Sequence, residues 1–163
     1  MATGHLSLST IHANSVSAVI HRLETEPMNI PRSLIAGLDI ITVQARLEKT
    51  GKPMRRTVTT AEIVGMDSST NEIVTHQLFK WNPEDDAYTY SGRSYILEKL
   101  AERLKKPLAE LNREILKRKV VLEWMVKKNL RKFTDVSKVI RRFYSDPEGT
   151  YREASLMLVE KRT

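Results

Sequence analysis

Ile40-Ile41-Thr42-Val43-Gln44-Ala45-Arg46-Leu47 carries the clearest signal of a fold in the chain. It is dense in β-branched residues, whose stiff side chains suit a pleated strand better than a helix. Lys49-Thr50-Gly51-Lys52-Pro53 follows as a turn and Arg55 to Val64 as a second strand. Asp67-Ser68-Ser69-Thr70-Asn71 makes a second turn, Glu72 to Trp81 a third strand, Asn82-Pro83-Glu84-Asp85-Asp86 a third turn, and Ala87-Tyr88-Thr89-Tyr90 a last short stretch. Connections this short cannot carry parallel crossovers, so the pattern predicts an antiparallel meander from about Asp39 to Tyr90. Alternation from Val58 to Ile63 predicts one buried face, packed against the short helices that precede the meander.

Upstream, His5-Leu6-Ser7-Leu8-Ser9-Thr10-Ile11 alternates apolar and small polar residues and reads as a short strand. Asn14 or Ser15 can cap a helix with Val16, Val19, Ile20 and Leu23 on one face. Pro27 ends that helix, and Pro31 suits the first turn of another through Ser33 to Ala36. Downstream of Gly92 the period becomes helical. Ile96, Leu97, Leu100, Ala101 and Leu104 share a face, and Pro107 restarts a helix lined by Leu108, Leu111, Ile115, Leu122 and Met125. Val136, Val139, Ile140 and Phe143 mark a further helix capped by Thr134 or Asp135, and Asp146-Pro147-Glu148 opens the last. The expected fold is α+β. A subdomain boundary is expected near Gly92, where charge and period both shift, between residues 1–92, which hold the meander, and a basic helical region over residues 93–163.

Composition narrows the chemistry. The 163 residues are 40% hydrophobic and 29% charged, which suits a packed globular chain. No apolar run approaches the ~20 residues that span a bilayer, and the first residues lack the charged and apolar regions of a secretory signal. With no cysteine there are no disulfides or thiolate metal sites, which fits a reducing cytoplasm. Histidines at 5, 12, 21 and 76 have no metal-ligand spacing, so no metal site is expected. The net charge of +7 is concentrated in one place. Residues 93–143 carry sixteen Lys/Arg against six Asp/Glu, whereas residues 1–92 carry eight against ten. Such asymmetry suits a surface for anionic partners, or a solvated basic helix face.

The most specific string is Thr3-Gly4-His5-Leu6-Ser7-Leu8-Ser9-Thr10-Ile11-His12-Ala13-Asn14-Ser15. It resembles the histidine box of the secretion ATPase superfamily, which includes type II secretion, type IV pilus and archaellum motors. Val19-Ile20-His21-Arg22-Leu23 resembles the helix that follows in that family. Ile30 to Ile35, Arg55-Arg56, Glu62 to Gly65, Phe79 to Pro83 and Gly92 to Leu97 look like its archaeal branch.

The resemblance implies an α/β, RecA-like motor domain of a hexameric ATPase, of which this chain is the C-terminal part. It implies ATP and Mg²⁺ as cofactors of the intact protein, with neither held tightly by this part alone. His12 is implied to approach the γ-phosphate, as a strand-end imidazole donating a hydrogen bond beside the ~0.5 positive charge of a helix N-terminus. Thr10, Asn14, Arg22, Arg55 and Arg56 become candidates for nucleotide or subunit-interface contacts. Asn14 could instead be a helix cap, Arg22 a surface ion-pair partner, and Arg55 and Arg56 solvated strand arginines on opposite faces. His5 reads as half-buried structure.

Departures from the family pattern are equally specific. No G-x-x-x-x-G-K-[ST] string and no strand ending in acidic Mg²⁺-placing residues occurs, so the isolated chain is expected to be inactive. Met1 stands directly before the box, so the chain reads as a fragment or excised piece. Arg113, Lys117, Arg118 and Lys119 form one basic patch, and Lys127, Lys128, Arg131 and Lys132 another. They are expected to dock on a neighbouring subunit, a membrane platform protein or anionic headgroups at the cytoplasmic face of the membrane. A nucleic-acid module built on the basic helices of 93–143 is the alternative, with few aromatic residues there to stack on bases. A freestanding enzyme has no nucleophile–base pair or paired carboxylates behind it.

Overall fold

Four strands pair in the order β1 (Ile40–Lys49), β2 (Lys52–Met66), β3 (Ile73–Asn82), β4 (Ala87–Tyr90), each antiparallel to the next. The computed structural model in which they are seen describes residues 6–49 and 52–159. The expected meander is therefore present, with β2 longer at both ends than its apolar run indicated. At the β2–β3 turn the Asp67 carboxylate accepts hydrogen bonds from the Ser69 hydroxyl and the Ser69 and Thr70 amides. These donors, the Ser69 hydroxyl foremost, lower its pKa to about 2. Asn71 then takes φ 61°, a left-handed conformation that asparagine tolerates.

Two compact units divide the chain, Met1–Lys99 and Leu100–Thr163. In the first, α1 (Val16–Glu24) and α2 (Arg32–Ile35) precede the sheet. Ser15 caps α1, its hydroxyl accepting from the Ala18 amide at 3.1 Å, while Asn14 stands outside the cap. Val19 and Ile35 bury against Ile41 and Ile63, with Val16, Ile20 and Leu23 packed around them. The expected strand over residues 5–11 is absent among its described residues. Leu6 and Leu8 are 93% and 95% exposed, and no described strand offers this segment backbone partners. Thr3, Gly4 and His5 lie outside the described residues.

One further expectation is corrected on β2. Ala61 and Ile63 bury one face as predicted, but Glu62 on the other face is also buried, at 1% exposure. Its carboxylate accepts from the Ser94 hydroxyl and, at 2.9 Å, from the Tyr95 amide. Ser94 also accepts from the Leu97 amide, so the first turn of α3 (Tyr95–Leu104) is fastened to the sheet by a buried anion at a helix N-terminus. The compact division falls inside α3, between Lys99 and Leu100.

The second unit packs α4 (Leu108–Lys127), α5 (Phe133–Ser145) and α6 (Pro147–Val159). Its core is Val121, Trp124, Met125, Phe143 and Ala154. The predicted seam of α4 is rotated. Leu111 and Met125 are buried, but Ile115 and Leu122 are more than half exposed, and Val121 and Trp124 take their place. Trp124 is the bulkiest apolar side chain on the buried face, and its indole N–H reaches Met157 Sδ at 3.2 Å. Asn129 and Leu130 close α4 with amide bonds to Val126 and Met125 carbonyls, a Schellman arrangement with Asn129 at φ 54°. α5 starts one residue before the expected caps. Lys132 occupies the cap position without a side-chain bond, and Thr134 and Asp135 fall in the first turn.

Candidate functional site

The extended segment before α1 alternates. Ile11 and Ala13 pack onto the first unit's core, which turns His12 and Asn14 outward, both exposed. α1 makes the same division at helical period, with Val16, Val19, Ile20 and Leu23 inward. Its other face, including Ser17, His21 and Arg22, borders an open groove of about 970 Å³ that His12, Asn14 and the C-cap Thr25 also line. Arg22 reaches back along the helix, in the direction that helical side chains lean, and its Nη1 donates to the His12 carbonyl at 2.8 Å. The partner of this guanidinium nitrogen is thus main chain. Thr10 is exposed on the segment leading into the groove and does not line it. His21, singled out by no spacing in the sequence, lies four residues after Ser17 on the polar face of α1 and lines the groove too.

Arg55 and Arg56 are not among the residues lining this groove. Arg56 forms a two-pronged ion pair with Asp86 in the β3–β4 turn, at 2.7 and 2.6 Å, and Trp81 Nε1 donates to the same carboxylate. Arg55 is exposed and stands directly across the β1–β2 ladder from Arg46.

In the second unit the basic residues separate by environment. Lys117, expected on an exposed stripe, is buried and bonded to Glu114 at 2.7 Å and to Glu148. It therefore leaves the first basic patch. The hydrogen bond to Glu114, then that to Glu148, raises its pKa, and Lys117 in turn lowers that of Glu114. Arg118 pairs with Glu114 and lies over the Phe143 ring at 5.2 Å, and Lys119 lies 3.7 Å from Glu123. Lys127 donates to the Met157 and Leu158 carbonyls near the end of α6. Arg113, Lys128, Arg131 and Lys132 are exposed. Exposed Ile115, Leu122 and Val126 line a shallow apolar groove of about 540 Å³ beside Arg118, Lys119 and Lys127.

Of the cofactors that the resemblance implies, the nucleotide and the metal fare differently. Imidazole, guanidinium and amide donors at His12, His21, Arg22 and Asn14 suit the oxygens of an anion. Among the described residues no cluster of three or more His, Cys, Asp or Glu is placed to hold a metal ion.

The profile of the type II/IV secretion system protein family matches residues 1–144, and the chain belongs to that family. Three Methanocaldococcus jannaschii proteins, each named as an uncharacterized protein, are similar to it. MJ1287 is 50% identical over 63% of this chain and 38% of its own length. MJ0900 is 32% identical over 88% of this chain and 27% of its own length, and MJ0781 is 34% identical over 88% and 20%. The chain thus spans well under half the length of these relatives. The family match runs through most of the basic helices, and nothing in it supports a nucleic-acid module. Among the described residues, no helix is long and apolar enough to cross a membrane.

Proposed function

We propose that this chain is one part of an ATP-hydrolysing motor of the type II/IV secretion family, and that it contributes the His12 edge of a composite nucleotide site. The observation that carries this reading is the presentation of His12 beside Arg22 on an open, donor-lined groove, within the segment matched by the family. ATP, when bound, supplies the phosphoryl group. His12 would donate a hydrogen bond to a phosphate oxygen, a contact whose value grows as charge develops in the transition state. The phosphate loop and the Mg²⁺ ligands would belong to a longer protein, as the greater length of the relatives supports. Alone, the chain should release phosphate from millimolar ATP only at the background rate. Turnover proportional to its concentration would overturn the reading.

The intact motor is proposed to be hexameric and cytoplasmic, to work at the inner face of the membrane, and to drive secretion or assembly of a pilus- or archaellum-type filament. The Methanocaldococcus relatives favour its archaeal branch. Arg113, Lys119, Lys128, Arg131 and Lys132 would dock it to anionic headgroups or to a membrane platform protein. At about 1 kcal/mol per basic residue near an anionic surface, R131E/K132E should weaken binding to anionic vesicles more than tenfold. Equal sedimentation of variant and parent with such vesicles would leave these residues as solvated charge or as protein contacts.

A further inference from the structure

Arg22 has an obvious role to hand, as a cation for the nucleotide's phosphates, but the geometry assigns it a different one. We infer that Arg22 is a positioning residue for His12, fixing the main chain from which the imidazole projects. This rests on the reading of His12 given above and extends it to a residue that need not touch the ligand.

Two kinds of anchor converge on His12. Its neighbours Ile11 and Ala13 are packed into the first unit's core, which fixes the direction in which the residue between them faces. Packing of alternate side chains does not fix the peptide plane, and this segment has no strand partner among the described residues to do so. Arg22 supplies the missing constraint. Its Nη1 donates to the His12 carbonyl at 2.8 Å, across ten residues of sequence. The donor is itself well placed. Arg22 lies seven residues beyond the Ser15 cap, two turns along one face of α1, and that helix is held by Val19 in the core. A rigid helix thereby holds a segment without regular structure in one conformation. The imidazole is left unencumbered, because the His12 ring makes no hydrogen bond among the described residues while remaining exposed on the groove. A fixed backbone with a free ring is the arrangement that a ligand-contacting histidine requires.

A guanidinium has five N–H donors, so a direct phosphate contact by the remaining four is the competing role, and the two predict different couplings. In the full-length motor, positioning through His12 requires that R22M lower kcat with little change in KM. It also requires that H12A/R22M be no slower than the slower single variant. R22K, which can still donate to a carbonyl, should recover part of the loss. A direct phosphate contact would instead raise KM and make the losses multiply. Amide exchange supplies a readout independent of hydrolysis. R22M should speed exchange of peptides covering residues 10–14 while leaving the β1–β3 peptides unchanged, with R22K in between. Unchanged exchange at 10–14, or multiplicative losses with a raised KM, would overturn the proposal. Faster exchange in R22M with normal turnover in H12A would uphold the tether and remove His12 from the reaction.

Discussion

Among the described residues each unit buries a charged side chain, and the two are satisfied by opposite means. In the first unit the buried ion is Glu62, an anion held by a hydroxyl and a backbone amide at the start of α3. In the second it is Lys117, a cation held by two carboxylates, Glu114 and Glu148. Glu62 uses neutral donors and a helix end, so it stabilises one junction, the attachment of α3 to β2, without needing a counter-ion. Lys117 joins α4 to α6 through side chains that are themselves partly in water, Glu114 at 37% and Glu148 at 68% exposure, so solvent and salt weaken its hold.

Substitution should expose that asymmetry. Glu62→Ala leaves a buried hydroxyl and amide without their acceptor, which costs about 1–3 kcal/mol and should loosen α3 first. Glu62→Gln, which keeps a carbonyl acceptor, should lose less. Chemical denaturation of the two variants measures both, and equal stability of Glu62→Ala and the parent would show that α3 is held by packing alone. Lys117→Met keeps the apolar stem of the side chain and leaves the carboxylates able to turn to water, so its loss should be the smaller one. That loss should depend on pH in a definite sense. A raised Lys117 pKa means that its contribution is fully present below its ordinary 10.5 and disappears as pH climbs through the raised value. A lowered Glu114 pKa means that its contribution is present above its ordinary 4.5 and disappears as pH falls. Thermal unfolding of parent and Lys117→Met should differ most between these limits and converge outside them. A difference independent of pH would assign the effect to packing.

What the sequence made legible follows the range of the forces involved. The meander was readable because each turn announces itself locally, as Asp67 to Asn71 does with a carboxylate that gathers the donors of its own loop. The face of α1 was readable because Val16, Val19, Ile20 and Leu23 leave no second apolar stripe to choose. In α4 the choice was open. Val120, Val121, Leu122, Trp124, Met125 and Val126 make the helix apolar almost all round, and only the position of α5 and α6 decides that Val121 and Trp124 go inward. Lys117 and Glu62 were hidden for the same reason, since their partners Glu148 and Ser94 lie 31 and 32 residues away. At the candidate site, His12 stood out through its motif. The Arg22 tether did not, because a bond to a backbone carbonyl leaves no mark on residue type.

The claim that most needs testing is that His12 acts on the reacting phosphate. In the full-length motor, His12→Ala should lower kcat by about 100-fold, the usual cost of removing one preorganised donor, while KM for ATP changes little. Steady-state phosphate release across a range of ATP concentrations gives both values. An unchanged kcat, or a loss confined to KM, would contradict the account and leave His12 as a surface residue at the entrance to α1.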